Sequence, residues 1–168
     1  SIEPNYFKTY RLTDGSIVNV KIQDTAGQER FKALGDKYYI KADCCLLVYD
    51  ITKKNSFDEI KNFYNPKIKQ LCKPNLVVIL LGNKTDLENE REVQPEEGAA
   101  FAQENDYQFL ETSCLKNQNV ASAFETLIEN TNIEAQKNKS EGNRNESIHL
   151  QAKDLKKKSK CCIVNLFL

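Results

Sequence analysis

Two short, almost unbroken apolar runs, at residues 44–49 and 76–81, do most to limit what this chain can fold into. Each is too short for a long helix and lacks the alternation of a strand with one wet face. Both therefore fit parallel strands covered on two sides. Helical spacing that could supply the cover appears at 56–71 (Phe57, Ile60, Phe63, Tyr64, Ile68 and Leu71), at 95–104 and from 120 to about 135. Pro66 should kink or divide the first of these, because proline removes a donor and crowds the preceding turn. Pro95 suits a first helical turn, with Glu96 and Glu97 at the helix's positive end. Residues 6–12 and 17–24 suit strands, and the Asp14-Gly15 pair between them signals a hairpin. A further short strand is expected at 109–112. Strands alternating with helices predict a doubly wound α/β sheet whose ligand sites gather at the carboxyl ends of the strands.

Charge sorts the possible partners. The 24 Lys and Arg balance 24 Asp and Glu, which argues against a nucleic acid polymer. The positive charge is concentrated at 153–160, immediately before Cys161-Cys162, and from residue 136 the composition turns to Asn, Lys, Ser, Glu and Gly. The expected organisation is a domain over 1–135 and a disordered basic tail over 136–168. The six cysteines have no metal-ligand spacing. Cys44, Cys45, Cys72 and Cys114 read as buried thiols of a reducing compartment, and the chain as cytoplasmic. No apolar stretch approaches the roughly 20 residues that span a bilayer, and residues 1–15 have no signal-peptide pattern. The chain starts at Ser1 and contains no methionine, which reads most simply as a fragment.

Two motifs follow strands. Asn83-Lys84-Thr85-Asp86 comes after the run ending at 81, and Asp24-Thr25-Ala26-Gly27-Gln28-Glu29 ends the second strand. The first suits guanine, whose edge offers two N–H donors beside the O6 acceptor, so the Asp86 carboxylate can accept both. Adenine would set an acceptor against that carboxylate, and unpaired polar groups are what give strong discrimination. Asn83 can steady the loop and reach N7, the Lys84 stem can cover the base face, and backbone N–H groups near Ser113 and Cys114 can meet O6. The plain alternative is a polar surface turn. In the second motif, Asp24 can hold magnesium through water, Gly27 N–H can approach a γ-phosphate, and Gln28 can orient the attacking water. The alternative for Gln28 is a solvated loop glutamine.

These residues resemble those of the Ras superfamily, and 24–31 (DTAGQERF) with 47–52 (LVYDIT) resemble its Rab branch; the resemblance covers about 1–135. It implies a switch that binds GTP and GDP with Mg2+, hydrolyses GTP and regulates vesicle traffic on the cytosolic face of endomembranes. Residues 27–39 resemble switch II and 1–7 the end of switch I. Exchange factors, activating proteins and effectors would bind through them. The resemblance places Ser1 where the family's magnesium-binding threonine stands. It sets Leu115 at the lysine of the base-contacting SAK motif, and Gln23 at a tryptophan that effectors read. No arginine is evidently placed to act in cis, so an activating protein would supply one. Cys161 and Cys162 behind the lysines resemble prenylated di-cysteine ends, although residues 163–168 follow them; a basic tail with an apolar end is the alternative.

No Gly-x-x-x-x-Gly-Lys-Ser/Thr occurs in the 168 residues. The expected fold is thus a small G protein sheet without its first strand, P-loop and first helix. Its two inner strands would be left with unpaired backbone groups and the chain would be unstable. The rival reading is a truncated, non-catalytic pseudo-GTPase that binds partners. A nucleotide kinase on a similar sheet lacks any lid or acceptor-site signal.

Overall fold

The reversal after Leu12 sets the first two strands. Leu12 N–H donates to Ser16 O and Gly15 N–H to Leu12 O, both at 2.9 Å, and the Asp14 carboxylate accepts from Ser16 N–H at 2.9 Å. Gly15 takes φ +79°, a backbone state open to glycine and costly for most side chains. The turn joins β1 (Asn5–Arg11) to β2 (Ile17–Asp24) in antiparallel register, Asn5 opposite Gln23 and Arg11 opposite Ile17. The computed structural model describes residues 5–24, 36, 39–142 and 158–166.

The two apolar runs become β3 (Cys44–Asp50) and β4 (Val77–Asn83), and β5 (Gln108–Thr112) joins β4; all three are parallel. Every residue of β3 is buried, and the period of two sends successive side chains into different cores. Cys45, Leu47 and Tyr49 pack with Phe57, Ile60, Ile68 and Ala102, whereas Cys44, Leu46 and Val48 pack with Val18, Val20, Leu127 and Ile128. Burying each such aliphatic side chain contributes about 1.5–3 kcal/mol. Such two-sided burial is the physical content of the doubly wound arrangement expected from the sequence.

Over the first core run α1 (Lys54–Glu59), a π-helical segment (Ile60–Tyr64) and α2 (Asn65–Leu71) without a break. Pro66 therefore neither divides nor sharply ends the helix. Its missing N–H and its ring are accommodated by the wider π turn directly before α2. The second core is covered by α4 (Val120–Gly142), whose Ala123, Leu127 and Ile128 face the sheet.

α3 (Pro95–Glu104) has the bounds read from the sequence. Pro95 opens it, Glu96 and Glu97 lie in its first turn, and Gln94 N–H donates to Glu97 Oε1 at 3.4 Å. Its Gly98 lies against β3 and β5, where an added Cβ would come 2.5 Å from the Tyr49 hydroxyl oxygen and 2.6 Å from a ring carbon of Phe109. Gly98→Ala should therefore destabilise the fold. Overpacking costs about 1–3 kcal/mol, of which alanine's better helix propensity returns up to about 1 kcal/mol. The urea midpoint should fall with the m value unchanged; an unchanged or higher midpoint would show that the contact relaxes freely.

The expectation of disorder from residue 136 is corrected on two counts. α4 continues to Gly142, and Lys158–Leu166 forms β6, parallel to and between β2 and β3. The sheet order is β1-β2-β6-β3-β4-β5. The two inner strands expected to stand unpaired are thereby paired. Val18 to Asp24 lie opposite Lys158 to Val164, and Cys44 to Val48 opposite Cys162 to Leu166. The physical reason is that two facing ladders of unmet N–H and C=O groups draw in an apolar segment capable of satisfying both.

Candidate functional site

β3, β4 and β5 end level, with Asp50 opposite Asn83 and Asn83 opposite Thr112. Beyond this row the backbone turns sharply. Lys84 has φ +73° and ψ 37°, in the left-handed region that a lysine rarely occupies, and it launches a 3-10 turn, Thr85–Glu90, that carries Asp86. After β5, Ser113 N–H donates to Gln118 O at 3.1 Å and Gln118 N–H to Ser113 O at 2.8 Å. This closes a tight loop, aided by Asn117 and Asn119 at positive φ.

The two turns are tied to each other. Asn83 is buried, and its Oδ1 accepts from Thr112 Oγ1 at 3.2 Å and from Cys114 N–H at 3.3 Å. Thr85 Oγ1 donates to Thr112 O at 3.2 Å. The wholly buried Ser113 donates its hydroxyl to Asp86 Oδ1 at 2.5 Å and accepts from Lys116 N–H at 3.1 Å. Asp86 is thus oriented from below through one oxygen. A carboxylate carries about four lone-pair sites, so a pair of neighbouring N–H donors can still be met. The amides of Ser113 and Cys114, expected to face an O6 oxygen, are instead engaged inside the protein. The Leu115 amide, at the exposed crest of the loop, has no partner among the described residues.

Lys84 reaches back rather than out. Its Nζ lies 2.8 Å from Asp50 Oδ2, close but not squarely aligned with that oxygen, and Lys53 Nζ stands 3.7 Å away. Thr52 donates to Asp50 Oδ1 through its N–H at 2.9 Å and its hydroxyl at 2.7 Å. Burial works to raise the Asp50 pKa. The Lys84 ammonium 2.8 Å away and the hydrogen bonds from Thr52 outweigh it and hold the carboxyl below its ordinary value. A charged Asp50 anchors the far end of the Lys84 stem, the part expected from sequence to lie against a base.

One part of the site escaped the sequence reading altogether. Arg91, its side chain 5% exposed, donates from Nε and Nη2 to Glu88 at 2.8 and 2.7 Å, and from Nη1 and Nη2 to Glu111 at 2.7 and 3.2 Å. Its Nη1 also donates to Val93 O at 2.9 Å. The guanidinium fork clamps the turn carrying Asp86 to β5, the strand that leads into Ser113. Glu88 at three residues' remove was visible in the sequence; Glu111 was not.

Of the hydrolytic motif, Ser1, Gly27 and Gln28 lie outside the described residues. Asp24 is the last residue of β2; its backbone stands opposite Val164, which in turn stands opposite Leu46. It is four residues behind Asp50 along the parallel strands. Among the described residues no group of three or more His, Cys, Asp or Glu could hold a metal ion. Cys161 lies opposite Lys21, and Cys162 between Ile22 and Cys44, so both are strand residues rather than parts of a disordered tail.

One further expectation is corrected. Cys44 and Cys45 are buried, but Cys72 is half-buried and Cys114 exposed because it rides the loop after β5; all four are free thiols. Gln23 is buried at 5% exposure within β2. Among the described residues no helix is long and apolar enough to cross a membrane.

Comparison with known proteins agrees with this geometry. The model of the Ras family matches residues 2–133. RABA6a of Arabidopsis thaliana is 46% identical over 112 residues, 67% of this chain and 48% of the relative. The GTP-binding protein ypt3 of Schizosaccharomyces pombe is 43% identical over 117 residues, 70% of this chain and 54% of the relative. Human Rab-4B is 48% identical over 110 residues, 66% of this chain and 51% of the relative. The chain spans about half the length of the curated relatives it matches. The matched stretch contains β3, β4 and β5 and both turns that hold Asn83, Asp86 and Ser113, so the chain belongs to the Ras family, on its Rab-like side.

Proposed function

We propose that the complete protein is a Rab-like molecular switch that binds GTP and GDP, hydrolyses GTP and acts in vesicle traffic. The observation that carries this reading is that Ser113 holds Asp86 through one oxygen, while the loop that carries Ser113 leaves the Leu115 amide without a partner among the described residues. A carboxylate for two N–H donors and an amide for a carbonyl oxygen match the guanine edge, and adenine satisfies neither. Asn83 fastens the two turns together, and Lys84, anchored on Asp50, supplies an aliphatic stem beside them.

Gln28 orients the attacking water, and Gly27 lets the backbone approach the terminal phosphate. Asp24, at the end of β2, and Ser1 are the residues that would hold Mg2+, which when bound neutralises charge on the phosphates. Exchange factors, an activating protein and effectors would meet the chain at residues 1–7 and 27–39. Tyr6 and Phe7, 58% and 74% exposed on the edge strand β1, give that surface its apolar part. The setting proposed is the cytosolic face of endomembranes. No observation favours the rival non-catalytic interaction protein.

The test isolates the base from the phosphates. The 168-residue chain should bind a fluorescent guanosine monophosphate analogue at least about 10²-fold more tightly than the adenosine counterpart, since a mismatched edge leaves the Asp86 carboxylate unpaired. Equal binding of the two would remove the basis of the proposal.

A further inference from the structure

At the carboxyl end of β3 one buried carboxylate faces two ammonium groups, and its two oxygens are used differently. Asp50 is 1% exposed. Its Oδ1 accepts from Thr52 N–H at 2.9 Å and from Thr52 Oγ1 at 2.7 Å, which closes the turn after the strand. Its Oδ2 takes no part in that turn and receives no aligned hydrogen bond among the described residues. That oxygen faces Lys84 Nζ at 2.8 Å and Lys53 Nζ at 3.7 Å. A charged oxygen removed from water is costly unless a cation stands against it. Oδ2 is thus a seat for a lysine.

Lys84 is the closer of the two and the less exposed, its side chain at 30% against 55% for Lys53. Both ends of its stem are held. The backbone end lies in the left-handed region at φ +73°, and the ammonium end rests on Asp50. Between them runs a flexible four-carbon stem, leaving the residue directly before the turn that carries Asp86.

We propose that Asp50 is a positioning residue that seats the Lys84 stem and so sets how tightly a purine is held, while Asp86 sets which purine is held. The inference rests on the nucleotide reading above. A lysine free in water loses rotamer freedom when its stem is laid against a base, a loss of up to about 30-fold in affinity. Asp50 orders the stem before the base arrives, which removes that loss from binding. The stem meets the flat face of the ring and does not read its edge, so it favours guanine and adenine alike. Discrimination stays with the hydrogen-bonded edge.

Asp50→Asn separates the two roles. The amide keeps an oxygen for both Thr52 donors, so the turn after β3 is retained. Where Oδ2 stood it presents an NH2 group, which cannot accept from either lysine. Lys84 loses its seat and nothing else at the site changes.

The experiment uses the 168-residue chain and the fluorescent guanosine and adenosine monophosphate analogues. Asp50→Asn should weaken binding of both by the same factor, about 5- to 30-fold, and leave their ratio unchanged. Lys84→Met keeps a linear apolar stem without the ammonium, and Lys53 remains to face the Asp50 charge. In that background Asp50→Asn should alter neither affinity further. A readout that needs no nucleotide is 13C relaxation of the lysine side chains: the ε-methylene of Lys84 should be more ordered than that of Lys53, and Asp50→Asn should make the two alike. Three results would each overturn the role of Asp50: unchanged affinities, a loss confined to guanine, or a loss that persists with Lys84→Met. A Lys84 stem as mobile as that of Lys53 in the unaltered chain would overturn it too. If the unaltered chain shows no preference for guanine, the nucleotide reading falls and the proposal with it, whatever the relaxation shows, so the two failures are told apart.

Discussion

Asp86→Asn should cost the protein its preference for guanine and give it one for xanthine. The carboxylate offers acceptors to both N–H donors of guanine, whereas an amide offers one acceptor and one donor. The donor then faces the guanine amino group. Hydrogen bonds to a charged group contribute about 1.5–3 kcal/mol each. One bond is lost and the other falls to that of a neutral acceptor, together about 2–4 kcal/mol, or roughly 30-fold to 10³-fold in affinity. Xanthine presents a carbonyl where guanine has its amine, so the same amide fits it. Competition between xanthosine and guanosine nucleotides measures the exchange. The Ser113 hydroxyl, 2.5 Å from Asp86 Oδ1, can donate to the asparagine oxygen as well, so the denaturation midpoint should hardly move. Undiminished guanine binding would mean that Asp86 is not the base contact.

Arg91→Met should be the most destabilising single change near the site, by about 2–4 kcal/mol. Removing one partner of a buried charge pair typically costs about 3–5 kcal/mol because the other charge is stranded. Here the figure is smaller because Glu88 is 62% exposed and Glu111 25% exposed, so water can reach both. Most of the loss comes from Glu111 and from the Val93 carbonyl. Arg91→Met with Glu111→Leu should recover much of it, since an apolar pair of similar volume can replace a buried ion pair at little cost. Urea denaturation of the two single variants and the double variant gives the coupling. Additive effects would show that the Arg91–Glu111 contact is not what fastens the turn to β5.

Much of the sheet was legible because burial leaves a plain mark. The run at 44–49 fitted a strand covered on both sides best, and Pro95 with two following glutamates marked the start of α3. The residues proposed to select a base, Asn83, Lys84 and Asp86, stood out because they directly follow a buried strand. The working details did not. Which amides the loop after β5 consumes depends on Gln118 closing it, and Arg91 reaches Glu111 only because β4 and β5 lie side by side. Local composition gave no hint of either. The misjudged tail shows a different failure. Lysine, asparagine and serine over 136–160 outweighed a short apolar run at 161–164 that, by the standard applied to 44–49, already read as a buried strand.

Lys158–Leu166 also sets which pairings of the described sheet are slowest to form. Among the described residues five strands precede β6, yet it pairs Lys158 with Val18 and Cys162 with Cys44. Contacts so distant along the chain are slow to form, because a long loop must close before any pairing compensates for its entropy. Refolding of the 168 residues from urea should therefore end on the step that seats β6, a kinetic burden created by topology alone.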